Sequence, residues 1–381
     1  MKKFLALFLS LVMVLALAAC GGGSSDTTTA PGSDAGNSTG SSLNVGVFYY
    51  TYADTYISSV RTALDAQLTA AGISYTNYDC NNTQATQNDY VRTAVTNGCN
   101  LLIVNLCTSG SADAAKAIMD IAGDIPVIFF NRAVEGDGEE GTVLGAYDNI
   151  CFVGTDAPEA GHLQGQMVGQ YVLDNYDAID LNGDGVISYA LFKGDEANVE
   201  AIYRTQYGVE DADALLTAAG KPALSYFDAN NAAKYQVDQA GNWSAQAASD
   251  YMNTNLASYN ESNGNMIELI ICNNDNMAEG AIAALNTAGY NLGDGASTTI
   301  PVFGVDATEA AQELIAAGKM TGTVKQDAEG MAAAITATAK AIGEGKTVTD
   351  AIAAAAATGD IYSIAEGIAN KLYVAYAPFT A

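Results

Sequence analysis

Asp180-Leu-Asn-Gly-Asp-Gly-Val-Ile-Ser-Tyr-Ala-Leu-Phe-Lys-Gly-Asp-Glu-Ala-Asn-Val-Glu-Ala-Ile-Tyr-Arg204 runs from a polar loop through an apolar strand to the start of a helix. Asp180, Asn182 and Asp184 alternate, and Gly185 follows. Oxygen side chains at every second position curl around one hard cation, and the glycine supplies the sharp turn. This is the first half of a calcium loop of EF-hand type. Such a loop closes with a bidentate Glu at its twelfth position, where this chain has Leu191. Val186 to Phe192 reads as a buried strand rather than a helix. The loop alone under-coordinates calcium, so a carboxylate must come from elsewhere in the chain. A polar turn with chance acidic spacing is the plain alternative. Beyond the strand stand Asn198, Glu200 and Arg204, polar groups suited to a small neutral ligand.

The same unit, an apolar strand followed by polar residues and an amphipathic helix, recurs outward in both directions. Strands are expected at 45–50, 73–78, 101–106, 126–130, 151–153, 187–192, 223–227, 268–272, 301–305, 322–325 and 372–376, the last ending the chain. Helices are expected at 56–71, 83–96, 112–122, 158–175, 199–219, 244–256, 277–288, 309–317 and 328–342. Nearly continuous apolar strands between amphipathic helices mean parallel sheets covered on both faces. The length suits two of them, so the fold class is α/β with two doubly wound parallel-sheet lobes. Ligands in such sheets sit beyond the carboxyl ends of the strands.

The residues at those ends are alike in kind. Tyr50 leads to Asp54 and Tyr56, Val104 to Asn105, Phe130 to Asn131 and Arg132, and Phe192 to Asn198, Glu200 and Arg204. Cys272 leads to Asn273, Asn274 and Asp275, Val305 to Asp306, and Lys325 to Gln326. No Ser-His or Cys-His pair is present, because His162 is the only histidine. No phosphate-cradling glycine loop is present either. Carboxylates, amides and a guanidinium suit hydroxyls, each of which donates and accepts. Taken singly, each Asp or Asn is equally well read as a helix N-cap. Trp243, the one tryptophan, lies in a Gly-Asn-Trp-Ser turn. It reads as an apolar plate for the C–H face of a sugar, with Tyr56 opposite, or as a packing residue.

Met1 to Cys20 is an export leader: Lys2 and Lys3, an apolar core, then Leu17-Ala18-Ala19-Cys20. That ending resembles a bacterial lipoprotein box, in which Cys20 is lipidated after cleavage. Residues 21–42 hold only Gly, Ser, Thr, Asp, Asn, Ala and Pro and read as a flexible tether. The formal charge of -28 excludes binding to phosphate backbones. The same charge repels anionic headgroups, so the membrane is reached through the lipid anchor only. Of the six cysteines, Cys107, Cys151 and Cys272 read as buried thiols beside apolar strands. A Cys80–Cys99 pair stays open, since pairing needs matching geometry.

The chain resembles the galactose/glucose-binding proteins of bacterial ABC uptake systems, which have the type I periplasmic-binding-protein fold. The segments that carry the resemblance are Val127-Ile-Phe-Phe-Asn, Phe152-Val-Gly-Thr-Asp, Asp180-Leu-Asn-Gly-Asp-Gly, Cys272-Asn-Asn-Asp-Asn-Met-Ala and Ile300-Pro-Val-Phe-Gly-Val-Asp-Ala. The resemblance implies a structural calcium held by Asp180, Asn182, Asp184, the carbonyl of Val186, Ser188 and a distant Glu268. Ser188 stands where the family has Gln, a longer ligand. It also implies sugar contacts at Asp54, Tyr56, Asn105, Asn198, Glu200, Arg204, Trp243, Asn274, Asp306 and Gln326. Four of these depart from the family: Tyr56 stands for Phe, Asn198 for His, Glu200 for Asp and Gln326 for Asn. The choice among glucose, galactose and another pyranose is therefore open.

Three crossings between lobes are implied near Ile125–Pro126, near Lys325–Gln326 and just before Tyr373. Residues 43–125 with 326–372 would form the first lobe, and 126–325 with 373–381 the second. The expected function is a lipid-anchored, extracytoplasmic subunit that captures a monosaccharide and hands it to an ABC permease, with a chemoreceptor or sensor as a further partner. A monomer that is not an enzyme is expected. A nucleoside or furanose ligand on the same fold, and a sugar-acting lipoprotein enzyme, are the competing readings.

Overall fold

A computed structural model describes residues 43–381. The leader, Cys20 and the tether lie outside the described residues. Two sheets carry the chain. The first contains β1 (Asn44–Tyr49), β2 (Ser74–Asp79), β3 (Leu101–Val104), β4 (Val127–Phe130) and β5 (Ile150–Gly154). The second contains β6 (Ser188–Lys193), β7 (Ser225–Tyr226), β8 (Gln236–Val237), β9 (Leu269–Cys272), β10 (Val302–Asp306) and β11 (Gly322–Lys325). The chain then returns to the first sheet with β12 (Tyr362–Ile364) and β13 (Lys371–Val374), and ends in the second with β14 (Ala377–Thr380). The strand orders are β12-β13-β5-β4-β3-β1-β2 and β14-β11-β10-β9-β6-β7, with β8 also paired to β6.

The helices are α1 (Thr55–Ala70), α2 (Gln84–Thr96), α3 (Ala112–Ala122), α4 (Ala157–Ile179), α5 (Val199–Ala218), α6 (Ala245–Ser258), α7 (Asp275–Thr287), α8 (Glu309–Ala316), α9 (Ala328–Gly343) and α10 (Val348–Ala356). Among the described residues none is long and apolar enough to cross a membrane. The strands Leu-Leu-Ile-Val of β3, Val-Ile-Phe-Phe of β4 and Leu-Ile-Ile-Cys of β9 are buried at every position. Burial on both faces is what helices on both sides of a parallel sheet require. On α1 the buried stripe is Ile57, Val60, Leu64 and Leu68, the helical spacing that faces one side to a sheet.

The two-lobe α/β architecture is as expected, but its seams move. β4 and β5 pair in parallel with β3 and with each other, with Phe129 opposite Phe152. Both therefore belong to the first sheet. The first crossing follows Gly154, not Ile125–Pro126; Pro126 leads into a strand, and its carbonyl accepts from the Leu102 amide. The second crossing, after Lys325, stands where it was expected. The expected last strand at 372–376 is divided. β13 pairs with β5, and β14 pairs antiparallel with β11, so the third crossing is at Ala375–Tyr376 rather than before Tyr373. A second antiparallel pair, β12 with β13, edges the first sheet. Short, alternating edge strands carry little hydropathy signal, which is why β12, β14 and the two-residue β8 escape a reading by apolar runs.

The cysteines Cys80, Cys99, Cys107, Cys151 and Cys272 are all free and buried. Cys80 and Cys99 do not pair; the neighbour of the Cys80 thiol is Cys107. His162 is structural, with Nδ1 2.9 Å from Asp211 Oδ2 and its ring stacked on Tyr207.

Helices α4 and α5 pack closely because α4 presents glycines. A Cβ at Gly161 or Gly165 would run into the backbone of Tyr203 or Tyr207, and one at Gly169 into Ala212 and Leu215. Gly165→Ala is expected to cost about 1–3 kcal/mol through overpacking, read as a lower urea midpoint at unchanged m-value.

Candidate functional site

The carboxyl ends of both sheets meet around one cavity of about 40 Å³. Tyr50, Asp54 and Tyr56 line it from the first lobe, and Asn198, Glu200, Arg204, Trp243, Asn274 and Asp306 from the second. Gln326 lines it from the second crossing, and Asn131 and Arg132, nominated by their place after β4 but not among the sugar contacts the resemblance implied, add two walls. Of the ten residues expected here, nine share this lining. Asn105 does not. It is fully buried, its Oδ1 accepts from the Tyr50 amide, and its Nδ2 donates to the Phe130 carbonyl and Asn131 Oδ1. It ties together the ends of β1, β3 and β4 behind the cavity.

The N-cap reading and the site reading hold together. Asp54 caps α1 by accepting from the Ile57 amide, Asn198 caps α5 through Ala201, and Asn274 caps α7 through Met277. A cap fixes one polar atom and leaves the rest of the side chain at the cavity. The second oxygen of Asp54 accepts from the Tyr50 hydroxyl at 2.6 Å. Arg132 lies over the Tyr50 ring at 3.9 Å and donates to the carbonyls of Leu106 and Cys107. Its other amino group faces Asp195, across the lobe boundary, at 3.6 Å.

Arg204 is the hub. Nη1 donates to the Asn273 carbonyl at 2.9 Å. Nη2 reaches Glu200 Oε2 at 3.2 Å, Gln326 Oε1 at 3.2 Å and the Tyr376 hydroxyl at 2.9 Å. The Tyr376 hydroxyl also lies 3.0 Å from Thr155 Oγ1 and 3.1 Å from Glu200 Oε2, and Thr155 donates to Glu200 Oε1. Burial opposes the Arg204 charge, but Tyr376, Glu200 and Asp306 outweigh it and hold the guanidinium protonated. Asp306 is pushed well up, first by burial and then by Asp275, with Arg204 pulling the other way.

Arg204 Nε and Gln326 Nε2, buried donors on this lining, have no hydrogen-bond acceptor among the described residues. Such groups are costly unless something pairs with them. Asn131, Trp243 and Asp306 also hold positive φ values of 59°, 56° and 128°, strain of a kind that gathers at ligand clamps. The Trp243 indole packs on Gly194, where a Cβ would overlap the ring.

The expected calcium residues lie at the opposite end of the second sheet, before β6 and β9. Asp180 accepts from the amides of Gly183 and Gly185, and Asp184 from that of Val186. Glu268 is fully buried and gathers the amides of Leu181, Asn182 and Ser188. Burial raises its pKa, and those three amides oppose the rise. The Ser188 hydroxyl donates to the Met266 carbonyl. The donor set is all hard oxygen, the chemistry of calcium, and Glu268 lies against the loop through the amides of Leu181 and Asn182. Among the described residues no three acidic, His or Cys side chains already converge on one metal position. Here the acids turn onto the loop's own amides.

Residues 45–347 match the family described as periplasmic binding protein domain. A D-galactose/methyl-galactoside binding periplasmic protein of Haemophilus influenzae is 33% identical over 309 residues, covering 80% of this chain and 83% of that one. An ABC transporter solute binding protein of Clostridium phytofermentans with bound β-D-glucose superposes with a TM-score of 0.65 at 20% identity, over 89% of this chain and 94% of that one. One of Bacillus halodurans with bound myo-inositol gives 0.61 at 23% identity, over 91% and 96%.

Asp275, next to the cavity, gives a pH test. Burial, first, pushes it up to about 7 against hydrogen bonds from Thr323 and Thr308. Unfolded, it titrates at about 3.9. Between those values the native state holds a proton that the unfolded chain has lost, so stability falls as pH rises from about 4 to about 7 and levels off above. Asp275→Asn is expected to flatten that slope, measured by urea denaturation at pH 5, 6, 7 and 8.

Proposed function

Because this chain belongs to the periplasmic binding protein domain family, whose members compared above are solute-binding proteins and not enzymes, we propose that it is the extracytoplasmic ligand-capturing subunit of an ABC importer and that its ligand is a neutral monosaccharide of the glucose/galactose type. The observation that carries this reading is the pair of buried donors without acceptors, on Arg204 and Gln326, lining one cavity with Arg132 and the carboxylates of Asp54, Glu200 and Asp306. Donors and acceptors in one small space match the two-sided chemistry of sugar hydroxyls. Tyr56 on one lobe and Trp243 on the other supply flat apolar faces for a ring's C–H bonds.

The sugar bridges the lobes and favours their closed arrangement, since differential affinity for one state is sufficient to populate it; hinge closure of periplasmic binding proteins is a standard case. The closed form is what the permease, and any sensor, reads. Cys20 anchors the chain through lipid. Asn105 supports the site from behind rather than touching the sugar. Asp180, Asn182, Asp184, the Val186 carbonyl, Ser188 and Glu268 would hold a structural calcium after the loop's amides release their carboxylates.

Trp243 is the only tryptophan, so tryptophan emission reports on this cavity alone. Titration with glucose, galactose, allose, myo-inositol, ribose and adenosine is expected to change that emission for a pyranose. Calorimetry should give a Kd near micromolar, about -8 kcal/mol. A response to ribose or adenosine alone would make the ligand a furanose, and no response to any of them would end the sugar reading. For calcium, adding EGTA is expected to lower Tm and excess Ca²⁺ to restore it, by the linkage of a ligand that binds only the native state. Glu268→Gln should lose the response, and a Tm indifferent to EGTA in the unaltered chain would remove the metal.

A further inference from the structure

A second cavity adjoins the first, and the sugar reading makes no use of it. It is the larger, at about 190 Å³ against about 40 Å³. The two share Asn131 and Glu200 as a common wall. Beyond that wall lie the rings of Phe152, Tyr203 and Tyr373, the ammonium of Lys371, and the carboxylates of Glu140 and Asp156. We propose that this cavity houses a second, uncharged sugar ring, so that the ligand captured is a disaccharide or a glycoside with a polar ring as its aglycone. The inference rests on the sugar reading of the first cavity and extends it.

The chemistry of the lining selects that class. Lys371 Nζ lies 5.2 Å from the Tyr373 ring centre and 5.7 Å from that of Phe152. Among the described residues no carboxylate stands within ion-pairing distance of it. An ammonium in that position is a donor for a hydroxyl oxygen. Asp156 is the N-cap residue of α4 but makes no cap hydrogen bond, so its carboxylate is available as an acceptor. Glu140 adds a second acceptor at the rim. Three aromatic rings on the same lining offer flat apolar faces, and each hydroxyl of a sugar can use a donor and an acceptor at once.

Charge excludes the obvious alternatives. Glu140, Asp156 and Glu200 outnumber Lys371, which disfavours a phosphate or a uronic acid in the second cavity. Glu135 also lines it but is spent, because its two oxygens accept the amides of Gly141, Val143 and Leu144. The partition between the cavities is formed by the two residues they share. On it, Glu200 is held by Thr155 and Arg204, and Asn131 by Asn105. A linkage between the two rings passes beside Asn131 and Glu200, the residues the cavities share.

The test is calorimetry on the full chain with glucose and galactose beside cellobiose, lactose and melibiose. At least one disaccharide is expected to bind within tenfold of the preferred monosaccharide. Lys371→Ala should weaken that disaccharide at least tenfold and change the monosaccharide less than twofold, and retained monosaccharide binding certifies the fold of the variant. Asp156→Asn should act in the same direction. Binding of a monosaccharide with no disaccharide binding would overturn the inference and leave the sugar reading standing. Equal weakening of both ligand types by Lys371→Ala would overturn it as well. If neither type binds, both readings fall.

Discussion

The Arg204 guanidinium is the point on which the two lobes agree. Each of the three crossings delivers one side chain to it or to its partner Glu200: Thr155 from the first, Gln326 from the second, Tyr376 from the third. A buried ion pair by itself is weak evidence of stability, because desolvation offsets the attraction. This pair is different in that each crossing adds a hydrogen bond to it, with Arg204 Nε left open on the cavity side. Removing any one partner leaves a charged group buried and short of an acceptor or donor. The network therefore fixes how the chain passes between sheets, and it does so on the wall of the cavity.

That placement couples architecture to recognition. The cavity lies where strand ends from both sheets converge, and the helices that follow begin there too. Asp54, Asn198 and Asn274 each end a loop, cap a helix and line the cavity. The caps are worth about 1 kcal/mol each to the fold. They also lock the side-chain rotamers that a ligand meets, so the site costs little further ordering. Arg132, stacked on Tyr50 and facing Asp195 of the other lobe, adds a charged contact across the gap. The acids at the far end of the second sheet act on another part of the molecule. Glu268 draws the loop before β6 onto the start of β9 through three amide hydrogen bonds. Loop and site thus sit at opposite ends of the same strand, β6.

The alternation of apolar strands with amphipathic helices was enough by itself to determine two covered, mainly parallel sheets, because no other arrangement buries Leu101–Val104, Val127–Phe130 and Leu269–Cys272 on both faces. It was also enough to nominate the polar residues after the strands; of the ten sugar contacts that the resemblance implied, nine share one lining. Only the tertiary structure decided where the first and third crossings between lobes lie. Pro126 looks like a break in sequence, but strand pairing, a long-range property, keeps β4 and β5 in the first sheet. Only the structure separated Asn105 from its peers, since a buried amide and a ligand-facing amide are the same residue type until their partners are known. Tyr376 was invisible as a site residue for the same reason: its role comes from Thr155, Glu200 and Arg204, all more than a hundred and seventy residues away in the chain and brought to its hydroxyl by the third crossing. Local pattern sets which elements form, and contacts between distant segments set what each side chain does.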